Sequence, residues 1–169
     1  MYVLGIDPGL TRMGYACLDA SSLREPRPVA MGVLRTAPSD PLPQRLAELR
    51  AELASLMDEL RPDVVVVEHV FFQVNRRTAM SVAQASGLAL AEAASRRAQV
   101  VQYTANEVKL TLVGYGAATK TQIASMVQTR LGLTAPPKPP DAADAAALAL
   151  CHLAVAPMQG RVARARAGR

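Results

Sequence analysis

Tryptophan is absent from this 169-residue chain, and phenylalanine, cysteine and histidine occur twice each. With so few aromatic side chains the core has to be built from alanine, valine and leucine, and half of the residues are apolar. Cys17 and Cys151 lie in apolar segments, too few for a disulfide scaffold and without metal-ligand spacing, so both read as buried thiols. No apolar run approaches the length that crosses a bilayer, and the first residues lack the basic-then-apolar order of a secretion signal. A cytoplasmic protein with no membrane contact is expected. Lysine is scarce too, because Lys109, Lys120 and Lys138 stand against sixteen arginines. Arg161, Arg164, Arg166 and Arg169 supply four of the five net positive charges, so the body of the chain is nearly balanced. The length suits one domain. We expect it to span residues 1–156, with 157–169 a basic, flexible tail.

What is present begins with Tyr2-Val3-Leu4-Gly5-Ile6-Asp7-Pro8-Gly9. The apolar run reads as a buried strand that stops where Pro8 removes a donor and Gly9 permits a turn. Asp7 stands at its exit, either as a turn-former bonding its own backbone or as a ligand held by a rigid strand. Met13 to Leu18 and Pro28 to Arg35 follow as two further strands of an antiparallel meander. Ser39-Asp40-Pro41 predicts a helix cap with Pro41 in the first helical position. Leu42, Leu46, Leu49, Leu53, Leu56 and Leu60 then form a stripe that packs on the sheet. After Arg61-Pro62-Asp63, four consecutive valines mark a strand covered on both faces, parallel to the first, ending in Glu68. Acids at neighbouring parallel strand ends fall where open α/β sheets hold ligands.

Phe71 and Phe72, beside Gln73, Asn75, Arg76 and Arg77, occupy the loop that follows; an aromatic there is either tucked under the next helix or stacks on a base. The helix from Arg77 to Arg97 carries Ala83, Gly87, Ala91 and Ala94 on one face, where a second helix of this chain or of another copy can approach closely. Val100 to Tyr103 is a short strand. Thr104 to Glu107 and Thr119 to Gln122 have the form of capping boxes, with Gly114 ending the first helix. Lys120 therefore lies at a helix N-terminus, against the dipole, which points to an anion. A proline-rich connector leads to Asp141-Ala142-Ala143-Asp144, with Asp141 suited to the cap and Asp144 to the third helical position, and this helix is expected to end near Val155.

Asp7, Glu68, Asp141 and Asp144 each suit local structure. If they converge, their repulsion calls for cations, and oxygen ligands without cysteine or histidine favour Mg²⁺ or Mn²⁺. Such a cluster suits in-line phosphoryl transfer with two ions. His69 faces away from Glu68 if the strand continues, and His152 lies about two helical turns from Asp144, so neither joins the cluster.

Gly5-Ile6-Asp7-Pro8-Gly9, Glu68-His69-Val70-Phe71, Val108-Lys109 through Val-Gly-Tyr-Gly to Lys120, and Asp141-Ala142-Ala143-Asp144-Ala145 together resemble the RuvC-type Holliday junction resolvases, in order and spacing over nearly the whole chain. The resemblance implies an α/β, RNase H-like fold, with a five-stranded mixed sheet in the order 3-2-1-4-5 flanked by helices. It implies a homodimer that binds four-way DNA junctions, nicks two strands symmetrically, and works with a branch-migration motor complex. By motif, Asp7, Glu68, Asp141 and Asp144 are metal-binding catalytic acids with Mg²⁺ or Mn²⁺, two ions per site. Lys120 joins them in catalysis, and Lys109, Lys120 and Phe71 meet DNA; Arg76 and Arg77 are expected to do so from their place beside Phe71, and the small-residue helix at Ala83, Gly87 and Ala91 falls in the region where family members pair their subunits. His69 stands where the family often has glutamine. Two other classes share parts of this pattern. An actin-like phosphotransferase reuses the opening motif but needs a second lobe, and a non-catalytic junction binder does not need four acids.

Overall fold

The computed structural model describes residues 1–23, 25–69 and 76–167, with the backbone alone described at 76–78 and 158–167. In chain order the elements are β1 (Tyr2–Asp7), β2 (Arg12–Asp19), β3 (Arg27–Arg35), α1 (Leu42–Leu60), β4 (Val64–Glu68), α2 (Arg76–Ser95), β5 (Gln99–Tyr103), α3 (Ala105–Val113), α4 (Lys120–Arg130) and α5 (Pro140–Ala167). The strands form one sheet in the order β3-β2-β1-β4-β5, as the resemblance implies. The meander β1-β2-β3 is antiparallel, while β1 pairs with β4 and β4 with β5 in parallel.

Strand parity decides which side chains meet. Successive residues of a strand face opposite sides. Leu4, Ile6, Cys17, Val65 and Val67 enter one core under α1 and α2, whereas Val3, Ala16, Leu18, Val64, Val66 and Tyr103 enter the other, with α3, α4 and α5. Asp7 shares its parity with Val3, and Glu68 with Val64 and Val66, so both carboxylates belong to the α5 side. Helix α5 lies directly on the sheet there. A methyl group at Gly5 would overlap the Ala145 carbonyl oxygen, and one at Gly14 would overlap that of Asp141. Glycine at these two positions is required by the close approach. The alanines Ala142, Ala145, Ala146 and Ala149 complete the flat contact, all fully buried. Both cysteines are buried free thiols, as expected.

The capping boxes at Thr104/Glu107 and Thr119/Gln122 form in full, and Gly114 ends α3 in the left-handed conformation. Three boundaries differ from expectation. At α1 the cap is Pro41, without a side-chain hydrogen bond, because Ser39 and Asp40 lie outside the helix and bond to each other instead. The buried face of α1 is Leu49, Leu53, Met57 and Leu60, so the stripe turns onto Met57, while Leu42 is exposed. Helix α5 begins at Pro140, which needs no N–H in a first turn, placing Asp141 within that turn rather than at the cap and Asp144 beyond the third position. It also continues through Pro157 to Ala167 instead of stopping near Val155. An interior proline removes one helical hydrogen bond, but the alanine-rich flanks have the highest helix propensity and carry the backbone across it.

Candidate active site

The two strand-end acids, the start of α5 and the start of α4 converge on one cleft. It has a volume of about 200 Å³ and is lined by Asp7, Glu68, Lys109, Lys120 and Asp144 over an apolar floor of Val108, Ile123 and Leu148. Lys120 is the first residue of α4, presented by the Thr119 capping box, and its Nζ donates to Asp144 Oδ2 at 2.7 Å. Its placement against the helix dipole thus has an anionic partner within the chain. Lys109, carried by α3, also lines the cleft.

The charges in the cleft are unevenly compensated. Burial, followed by the nearby Glu68 and Asp144 carboxylates, pushes Asp7 up to about 7, with Lys120 pulling against them. Burial and Asp144 also raise Glu68, opposed by Lys120 and by a hydrogen bond with Asp7. Lys120 is raised by its hydrogen bond to Asp144. Asp141 behaves oppositely, held below the usual carboxylate range by the Arg12 guanidinium. Acids whose ionisation is resisted, Asp7 and Glu68, therefore line the cleft, while Asp141, outside its lining at the start of α5, is held ionised by a cation.

Arg12 escaped the reading of the sequence. Its Nε donates to Asp141 Oδ2 at 3.2 Å and its Nη2 to the same oxygen at 2.5 Å. The available signal was parity: Arg12 is two residues before Gly14, on the face of β2 that meets α5. Also unforeseen is a buried pair that ties β5 to α5, Tyr103 Oη against His152 Nδ1 at 3.1 Å. The parity expectation for His69 holds, since it lines a groove with Ala83, Gly87 and Leu90 on the α2 side, away from the cleft. Gly87 and Ala91 are exposed and Ala83 is half-buried on the outer face of α2, while Ala85, Ala89 and Ala93 are the ones that pack inward. Phe71 lies outside the described residues; Arg76 and Arg77 begin α2, their side chains outside the described set.

Whether the cleft suits a divalent ion rests on its donors. Among the described residues no three acid, histidine or cysteine side chains enclose a common point. A site for Mg²⁺ does not need them to, because this ion takes one or two carboxylates and completes its shell with water and phosphate oxygens. Asp7 and Glu68, paired and resisting ionisation, supply two oxygen donors whose mutual repulsion a cation relieves. The residues fit a hard divalent ion.

A mixed sheet ordered 3-2-1-4-5, with acids at the ends of its central parallel strands and at the start of the helix crossing them, defines an RNase H-like nuclease. The sequence model of the family described as "Crossover junction endodeoxyribonuclease RuvC" matches residues 3–152. The proteins of that name from Rhodococcus jostii (strain RHA1) and Thermobifida fusca (strain YX) are 47% and 46% identical, over 99% and 98% of this chain and 88% and 91% of their own length. Thermus thermophilus RuvC in complex with Holliday junction substrate is similar in structure, with a TM-score of 0.88 and 34% identity over 94% of this chain and 96% of that one. The chain belongs to the RuvC family of crossover junction endodeoxyribonucleases.

Proposed function

We propose that this endonuclease resolves four-way DNA junctions as a homodimer, hydrolysing one phosphodiester bond in each of two strands of like polarity. The observation that carries this reading is the convergence of Asp7, Glu68 and Asp144 with Lys109 and Lys120 on a single cleft, in a chain of this family. Asp7, Glu68, Asp141 and Asp144 would hold Mg²⁺ or Mn²⁺, two ions per site. Such ions supply Lewis-acid stabilisation of the attacking and leaving oxygens. Water adds to phosphorus, the P–O3′ bond breaks, and the strand is left with a 3′-hydroxyl and a 5′-phosphate.

The side chains have separable parts in this reaction. Lys120, exposed at its tip and already paired with an oxyanion, offsets charge that develops on the phosphoryl oxygens. Lys109 provides a second positive charge in the lining and draws the phosphate backbone into the cleft. The apolar floor of Val108, Ile123 and Leu148 excludes water beneath the reacting group and strengthens these interactions. Phe71, Arg76 and Arg77 contact the junction, with Phe71 stacking on a base, and Ala83, Gly87 and Ala91 pair the two subunits. Residues 1–156 form the nuclease domain and 157–169 the basic tail. The enzyme works in the cytoplasm beside a branch-migration motor complex; among the described residues no helix is long and apolar enough to cross a membrane.

The test is Asp7→Asn. Binding to a synthetic four-way junction, measured in chelator, is retained while nicking with Mg²⁺ disappears; full nicking by this variant removes Asp7 from the site. A linear duplex at the same salt, bound and cut as well as the junction, would replace junction resolution with unselective hydrolysis.

A further inference from the structure

Asp141 is the one proposed metal-binding acid that does not line the cleft, and its carboxylate is already taken. Arg12 engages it through Nε and Nη2, at 3.2 and 2.5 Å on Oδ2 and 3.4 Å on Oδ1. The pair is partly exposed, with 38% of the Arg12 side chain and 25% of that of Asp141 reached by solvent. A guanidinium and a divalent cation compete for the same carboxylate oxygens.

An ordinary structural role for Arg12, tying β2 to α5, is already filled by the backbone. Helix α5 meets β2 at Gly14, whose α-carbon lies against the Asp141 carbonyl, and the alanines of α5 are buried along the sheet. Asp141 is thus placed without help from the Arg12 side chain. What Arg12 adds is charge. Arg12 sets a cation on Asp141 as Lys120 sets one on Asp144, so each acid at the start of α5 has its own internal cation.

We propose that Arg12 is a built-in counter-ion of the metal site, which occupies Asp141 in the free protein and yields it when a divalent cation binds. The proposal rests on the metal-dependent reading above and extends it to a residue that sets how readily the site fills. Because Arg12 must leave before Asp141 can act as a ligand, its interaction is subtracted from metal affinity. By reciprocity, metal binding releases the guanidinium.

The experiment is calorimetric titration of the protein alone with MnCl₂ at fixed ionic strength, with folding of each variant checked by circular dichroism in chelator. Arg12→Gln should bind Mn²⁺ roughly two- to fivefold more tightly, the change that corresponds to loss of one competing, partly exposed ion pair. Arg12→Lys keeps the charge and should stay near the parent affinity. In an Asp141→Asn background, Arg12→Gln should give no gain, since the oxygen being contested has lost its charge. Weaker or unchanged binding by Arg12→Gln overturns the proposal and returns Arg12 to a structural tie. So does an equal gain in the Asp141→Asn background, which would make the effect one of overall charge. If the parent protein binds no Mn²⁺, the metal-dependent reading falls along with the proposal; tight binding insensitive to Arg12 removes the proposal alone.

Discussion

At the scale of the residue, Asp7 carries the consequence that is easiest to measure. Burial and the neighbouring carboxylates raise its pKa from 3.8 to about 7 in the folded protein. Between those values the folded chain binds a proton that the unfolded chain releases, so stability falls as pH rises from about 4 to about 7. Above that window the ionised carboxylate weakens the fold by an amount on the order of 4 kcal/mol. Asp7→Asn should therefore be more stable than the parent at pH 8 in chelator, and the gain should vanish by about pH 4. Urea unfolding at the two pH values measures this, and an equal difference at both would mean that burial and repulsion do not set the acid's cost. The acids were legible in the sequence because each ends or begins a strongly patterned segment. The Arg12–Asp141 pair was not, because its partners are 129 positions apart and meet only through the docking of α5, which no local pattern encodes.

At the scale of the element, the contact between α5 and the sheet fixes the geometry of the site. Gly5 faces the Ala145 carbonyl and Gly14 faces that of Asp141, both with no room for a methyl group. Gly5→Ala should force α5 outward, costing about 1–3 kcal/mol of stability through overpacking. It should also lower nicking far more than junction binding, because the helix carries two of the four acids. Denaturant melts and junction assays on one preparation test both halves; a variant of parental stability and activity would show that α5 does not need this approach. Both capping boxes and the leading strand were legible, since their signals lie within a few residues. The course of α5 through Pro157 was not, because the propensity of its alanine-rich flanks outweighed the local punctuation, nor was the rotation of the α1 stripe onto Met57, which packing in the core selects.

At the scale of the whole molecule, the sheet separates the cleft from the small-residue face of α2. The cleft opens on the α5 side, while the small outer residues of α2 face solvent on the other. A methyl group at Gly87 would meet nothing within 4 Å, so a side chain there leaves the protomer undisturbed. Gly87→Arg should accordingly fold normally yet sediment as a monomer, with loss of paired nicking; a dimeric variant would place the subunit contact elsewhere. The sheet order, by contrast, came from the family resemblance, because strand pairing follows no rule that one segment states alone.

The acids also come from opposite ends of the chain, Asp7 from its first strand and Asp141 and Asp144 from its last helix. A chain still being synthesised, with α5 not yet emerged, holds Asp7 and Glu68 but neither of their partners, nor the helix that covers Val3, Val64 and Val66. On the site proposed above, cutting of DNA has to wait until the final helix has been delivered.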